Sequence, residues 1–102
     1  MFSLQVDLGV HSRVNTILTK GWTTGVDGGF VTQYNLAISD NGTAWITLQA
    51  SDGSAIQFAG NVDFSNVARN ELPEPMFARY VRLIIVEFQF SPYLKWELEG
   101  CN

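Results

Sequence analysis

Apolar and polar residues alternate along most of this chain with a period of two, and no stretch carries the three-and-four spacing of an amphipathic helix. Leu4, Val6 and Leu8 alternate with Ser3, Gln5 and Asp7 until Gly9 ends the run. Residues 14–19 are β-branched and apolar and stop at Lys20-Gly21. Between residues 30 and 39, Phe30, Thr32, Tyr34, Leu36 and Ile38 fall on one side, the pattern of a half-buried strand. Asp40-Asn41-Gly42 then predicts a hairpin turn, because Asn and Gly tolerate positive φ. Residues 45–50 and 55–58 flank Ser51-Asp52-Gly53-Ser54, a second predicted hairpin. The polar stretch 60–75, with two prolines, predicts a long ordered connection, and residues 78–88 form the longest β-rich run. In the last strand Leu94, Trp96 and Leu98 face inward while Lys95, Glu97 and Glu99 face water. About seven short strands separated by frequent turns predict an all-β, antiparallel sandwich or barrel.

Composition narrows the class. With 102 residues, 46 % hydrophobic and 16 % charged, the chain makes one domain with a real core. Three Trp, three Tyr and seven Phe among few charges exclude a disordered chain. Ten acidic against six basic side chains leave a net charge of −4, which lacks the basic footprint that a nucleic-acid partner requires. No apolar run approaches the ~20 residues of a transmembrane helix, and the longest candidate, residues 81–86, contains Arg82. Residues 1–7 have no basic stretch followed by an apolar run, so no signal peptide is expected in this chain. The single cysteine, Cys101, cannot close a bridge within the chain.

Catalytic and metal chemistry have little support. His11, the only histidine, falls in an expected loop over residues 9–13 and reads as a solvated side chain. No Ser or Cys stands in a nucleophile-elbow context, and His11 and Cys101 share no ligand-spaced motif. Asp40-Asn41-Gly42 lacks the later ligands of a calcium loop. Glu97 and Glu99 share the outward face of the last strand, where like charges blunt a sheet edge. Neither catalytic residues, metal nor cofactor are therefore expected. Asn41-Gly42-Thr43 is a glycosylation sequon on a hairpin tip. The stretch 20–29 is the candidate binding element: Trp22 and Val26 form an apolar tip beside Lys20, Asp27 and the hydroxyls of Thr23 and Thr24. The alternative at this position is a Trp22 that serves as a lid over the core.

Seven blocks along the chain resemble, in order, the discoidin domain, also called the coagulation factor V/VIII type C domain. They are Leu4-Gln5-Val6-Asp7-Leu8-Gly9, Thr19-Lys20-Gly21, Phe30-Val31-Thr32-Gln33-Tyr34, Ser39-Asp40-Asn41-Gly42-Thr43-Ala44-Trp45, Phe58-Ala59-Gly60-Asn61-Val62-Asp63, Ala78-Arg79-Tyr80-Val81-Arg82-Leu83 and Leu94-Lys95-Trp96-Glu97-Leu98-Glu99-Gly100-Cys101. The resemblance implies a jelly-roll-like β-sandwich whose loops at one end bind ligands, in noncatalytic modules of secreted or cell-surface proteins that support adhesion. Implied partners are phosphatidylserine-bearing membranes, glycans, collagen or other matrix proteins, and protein receptors. Lys20, Trp22, Thr23, Thr24, Val26 and Asp27 then lie on a projecting loop of the family.

Two departures stand out. The family module usually begins earlier, with a cysteine that pairs with the one at Cys101 and with further projecting loops, so the resemblance implies a domain incomplete at its N-terminus, an open sheet edge and a partner for Cys101 elsewhere. An assembly role, with Cys101 and that edge joining a neighbouring chain, is the alternative to ligand recognition, and a targeting domain attached to an enzyme is a third reading. The other departure is the continuous apolar run over residues 83–90, where the family often has a proline. Arg79 and Arg82 match family arginines, and an ion pair with Asp7 or Glu97 is expected for them.

Overall fold

The computed structural model describes residues 2–100, and within them the chain is all strand. In chain order the strands are β1 (Ser3–Lys20), β2 (Trp22–Thr23), β3 (Gly28–Ser39), β4 (Ile46–Thr47), β5 (Phe58–Ala59), β6 (Ala68–Gln89) and β7 (Lys95–Glu99). They pair antiparallel in the order β2-β3-β6-β1-β7, with β4 and β5 also on β3.

Two of these strands are longer than the molecule. At ~3.3 Å per residue a straight 18-residue strand would reach roughly 60 Å, whereas the longest axis of the protein is 39 Å. Both β1 and β6 therefore bend. From Ser3↔Ile84 to Asp7↔Tyr80 they share one register. Residues 8–11 of β1 then bulge against residue 79 alone, and after Val14 residues 72–75 of β6 bulge against residue 15 alone, so Thr16↔Glu71 to Thr19↔Ala68 return to the first register. The two bulges cancel. The sheet is thereby folded into two halves that face each other: β3 with the late part of β6 and the early part of β1, and the late part of β1 with the early part of β6 and β7.

The core lies between the halves. Tyr34, Leu36, Val81 and Leu83 from one half form a single buried cluster with Ile17 from the other, and Leu94, Trp96 and Leu98 pack against it from β7. Tyr34 spans the gap, with its ring stacked on Phe58 at 5.3 Å and its hydroxyl accepting a 3.0 Å hydrogen bond from the Asn70 amide. Burial raises the Tyr34 phenol from its ordinary 10.0 to about 12.

Several sequence expectations are corrected here. Gly9 does not end the first strand, and His11 is not in a loop: both lie on β1 inside its bulge, with Gly9 at φ 84°. Nor is His11 without neighbours, since its ring stacks on Phe77 and Nε2 stands 3.3 Å from Asp40. The expected connection 60–75 shortens to 60–67, because Ala68 already begins β6. Pro73 and Pro75 fall in the β6 bulge, where a missing N–H breaks no ladder bond. Strict alternation fails on β3, where register shifts after Val31 put Val31 in the core along with Tyr34 and Leu36. The two expected strands around residue 52 reduce to β4, β5 and an isolated Gln49↔Ala55 bridge. The Asp40-Asn41-Gly42 turn does lead β4 back onto β3, through Ile38↔Ile46.

Arg79 makes the expected ion pair, a two-pronged contact with Asp7 at 2.9 and 3.0 Å. That contact and the Gly9 N–H hold the Asp7 carboxyl below the usual carboxylate range. Arg82 does otherwise: its guanidinium lies 4.0 Å over the Trp45 ring and donates to the Gln5 side chain.

The Tyr34 environment gives a pH prediction. The folded state holds the phenolic proton more tightly than the unfolded chain, so this stabilisation is complete below pH 10 and is lost as pH rises towards 12. Thermal melts should show the stability difference between wild type and Tyr34→Phe shrinking across that interval, and a constant difference would refute the assignment.

Candidate functional site

The bend places the free ends of both half-sheets at one pole, and three connections cover it: residues 21–28, 60–67 and 90–94. The first is a short hairpin. Trp22↔Gly29 and Thr23↔Gly28 pair, and the turn above them is closed from within. Thr24 N–H donates to the Asp27 carbonyl at 2.8 Å. Thr23 Oγ1 donates to the same carbonyl at 3.1 Å and accepts from Gly25 N–H at 2.9 Å. Thr24 Oγ1 also donates to it, at 3.3 Å, and accepts from Asp27 N–H at 3.0 Å. Both hydroxyls thus hold the loop rather than face outward.

What the loop presents is Val26, 98 % exposed at its tip. Trp22, expected at the apex, sits one strand pair lower, 38 % exposed, with its ring edge-on to Tyr93 at 5.0 Å. Among the described residues the Asp27 carboxylate makes no hydrogen bond or ion pair. Lys20 ends β1 directly opposite Lys95 of β7, two like charges in register.

The second connection is tied down by Asn61, whose side-chain amide donates to the carbonyls of Thr19 at 3.0 Å and Asn66 at 2.9 Å. Gly60 N–H and Asn61 N–H bind the carbonyls of Thr32 and Val31. Above these anchors Val62 is 87 % exposed, and Val67 is exposed near the two lysines. The third connection begins at Phe90, which with Phe30 and Phe64 makes a cluster of three rings, the Phe64–Phe90 pair stacked at 5.6 Å. A cleft of about 440 Å³ opens between the loops, lined by Val26, Asp27, Phe64, Phe90 and Ser91.

Glycine permits this crowding. A β-carbon at Gly29 would collide with the backbone carbonyl of Ser91, and one at Gly21 would meet Phe30.

Asn41 lies at the other end of β3. Its Oδ1 accepts from Thr43 N–H and Ala44 N–H, both at 2.9 Å, in an exposed turn beside Tyr80. Cys101 is outside the described residues. Among the described residues no group of three or more His, Cys, Asp or Glu could hold a metal ion, and no helix is long and apolar enough to cross a membrane.

A family model of the F5/8 type C domain matches residues 2–98. The chain belongs to the F5/8 type C domain family. Lactadherin of Mus musculus is 38 % identical over 98 residues, which are 96 % of this chain and 21 % of that protein. Coagulation factor V of Mus musculus is 32 % identical over 100 residues, 97 % of this chain and 5 % of that protein. This F5/8 type C chain therefore spans about a fifth of the lactadherin length and less of the clotting factor. Its fold is that of discoidin II from Dictyostelium discoideum, with a TM-score of 0.79 at 19 % identity over 94 % of this chain and 35 % of that one.

Of the six side chains singled out in the sequence of this F5/8 type C domain, all lie on or next to the first loop. Lys95, Val62, Val67, Phe90 and Tyr93 join them from distant positions. For Val62 the sequence signal is an apolar residue set singly between the polar Asn61 and Asp63.

The glycine contact yields a test. Gly29→Ala should cost about 1–3 kcal/mol, as overpacked sites do, because the new methyl must displace the Ser91 backbone. Denaturant midpoints measure it, and an unchanged midpoint would mean that the 90–94 loop does not rest on β3.

Proposed function

We propose that this domain is a noncatalytic extracellular recognition module that docks through the loop pole onto a membrane surface bearing anionic phospholipid. One observation carries the reading: Val26, Val62 and Phe90 are exposed on three separate connections at the pole where β1 and β7 end in the opposed Lys20 and Lys95. Isolated exposed apolar residues are ordinary, but several gathered at one pole mark an interaction surface. Apolar tips can enter the boundary between headgroups and acyl chains, while cations just behind them meet the phosphates. Two lysines directly across a ladder repel each other, and an anion between them turns that repulsion into attraction. The partners implied by the family resemblance include such membranes, which supports the choice. The net charge of −4 does not oppose it, since charges farther than the ~8 Å Debye length from the lipid are screened.

Sedimentation with liposomes decides the matter. Binding is expected to vesicles of phosphatidylserine and phosphatidylcholine, to fall with salt, and to be absent on phosphatidylcholine alone. Lys20→Ala and Lys95→Ala should each weaken it about fivefold, as ~1 kcal/mol per cation near an anionic surface implies, and Val26→Asp should abolish it. Equal binding to neutral vesicles, or none to either, would overturn the proposal; in the latter case a glycan array tests the cleft beside Asp27 as a sugar site.

A further inference from the structure

At the end of the domain away from the loop pole, the turn after β3 surrounds one side-chain amide with the parts of a reaction centre. Asn41 Oδ1 accepts three hydrogen bonds, from Thr43 N–H and Ala44 N–H at 2.9 Å each and from the Ser39 hydroxyl at 3.1 Å. That is one donor more than its two lone pairs align with. The same Ser39 oxygen accepts from Gly42 N–H at 2.9 Å and, at 3.3 Å, from Asn41 N–H. A single hydroxyl thus bridges the Gly42 nitrogen and the Asn41 side-chain carbonyl oxygen. The Asn41 side-chain nitrogen donates to no group among the described residues.

Each of these parts serves one reaction. Donors aimed at a carbonyl oxygen stabilise the charge that develops there when its carbon is attacked. A nucleophile fixed on the next residue needs no encounter. Gly42, at φ 80°, has no side chain to shield its nitrogen. Ser39 is 5 % exposed and so is held in place, while Asn41 is open to solvent.

We infer that Asn41-Gly42 is a self-modifying site, at which the Gly42 nitrogen attacks the Asn41 side-chain carbonyl carbon and Ser39 relays the proton. As the N–Cγ bond forms, the Gly42 N–H proton passes to Ser39 Oγ and the Ser39 hydroxyl proton passes to Oδ1, which leaves a neutral tetrahedral adduct. The adduct collapses when the Oδ1 proton moves to Nδ2. The Cγ–Nδ2 bond breaks, ammonia leaves, the carbonyl re-forms and a succinimide ring remains. Water, the only co-reactant, then opens the ring to aspartate or isoaspartate. The product places a new carboxylate next to Asp40, which faces His11 at 3.3 Å, and it removes the amide of the Asn41-Gly42-Thr43 sequon. Isoaspartate also lengthens the backbone in the turn that leads β4 onto β3.

The test incubates the whole chain at neutral pH beside the same chain unfolded in guanidinium chloride. Mass spectrometry of the peptide that carries Asn41 follows the exchange of amide for acid, and enzymatic methyl transfer counts isoaspartate. The folded chain should react faster than the unfolded one. Its rate should also stay level with pH where the unfolded rate rises in proportion to hydroxide. Ser39→Ala should slow the folded chain about tenfold, less than the ~100-fold of a fully positioned proton-transfer group because water can take the same place, and should bring back the proportionality to hydroxide. Ser39→Thr, which keeps the hydroxyl, should restore both. A folded rate at or below the unfolded rate overturns the inference, since the turn would then only hold the amide still. So does a folded wild-type rate proportional to hydroxide, a measurement that needs no variant and decides the matter even if substitution of Ser39 disturbs the turn. An unchanged folded rate in Ser39→Ala also overturns it.

Discussion

The two compensating bulges between β1 and β6 are the constraint on which the rest of this structure depends. Strands of 18 and 22 residues cannot lie straight in a molecule 39 Å long, and a bend that changed the register would turn every core residue of the second half towards solvent. Equal and opposite bulges bend the pair and preserve the pairing on both sides. Local contacts secure the β1 bulge. The Asp7 carboxylate accepts from Gly9 N–H at 2.8 Å while Arg79 grips it from β6, and Gly9 supplies the left-handed turn. On the other strand, prolines occupy the residues that leave the ladder.

From that bend follows the position of the site. Each long strand runs from the loop pole to the bend and back, so segments far apart in sequence finish side by side: Lys20 at the end of β1, Ala68 at the start of β6 and Gln89 at its end. The loops there satisfy their backbone groups among themselves, through the threonine hydroxyls of one and the Asn61 amide of another. A loop whose backbone groups are paired can expose an apolar tip without leaving those groups bare. Internal hydrogen bonding of the loops and the apolar character of their tips are thus compatible.

The strands were legible because alternation is local, and the last strand shows this best, with Leu94, Trp96 and Leu98 half-buried as their spacing demands. The bulges were not legible. A register shift leaves correct alternation on either side, so the interval around Gly9 reads as an ended strand, and Leu72-Pro73-Glu74-Pro75 reads as a loop, although both belong to continuous ladders. The first loop could be found from its glycines and threonines. Phe90 could not, because it continues the alternation of Phe88 and resembles one more core residue. Only the turn at Ser91 reverses its direction, and a φ angle is not written in composition.

Charge is matched pairwise along the sheet and mixed at the loop pole. Arg79 is taken up by Asp7, and Arg69 lies against Glu71 and Glu99, so these charges are matched along the sheet. Asp63, in the 60–67 connection, accepts from Ser65 N–H, Asn66 N–H and the Asn66 amide, which hold its carboxyl below the usual range and so keep it ionised. Lys20 and Lys95 face each other across the β1–β7 ladder. The Asp27 carboxylate, unpaired among the described residues, stands beside Val26 on the first loop, and Glu97 lines the same cleft as the two lysines, so the pole carries both signs within a few residues of each other. Within a Debye length the field at the pole is therefore set by the placement of these opposite charges rather than by the overall −4.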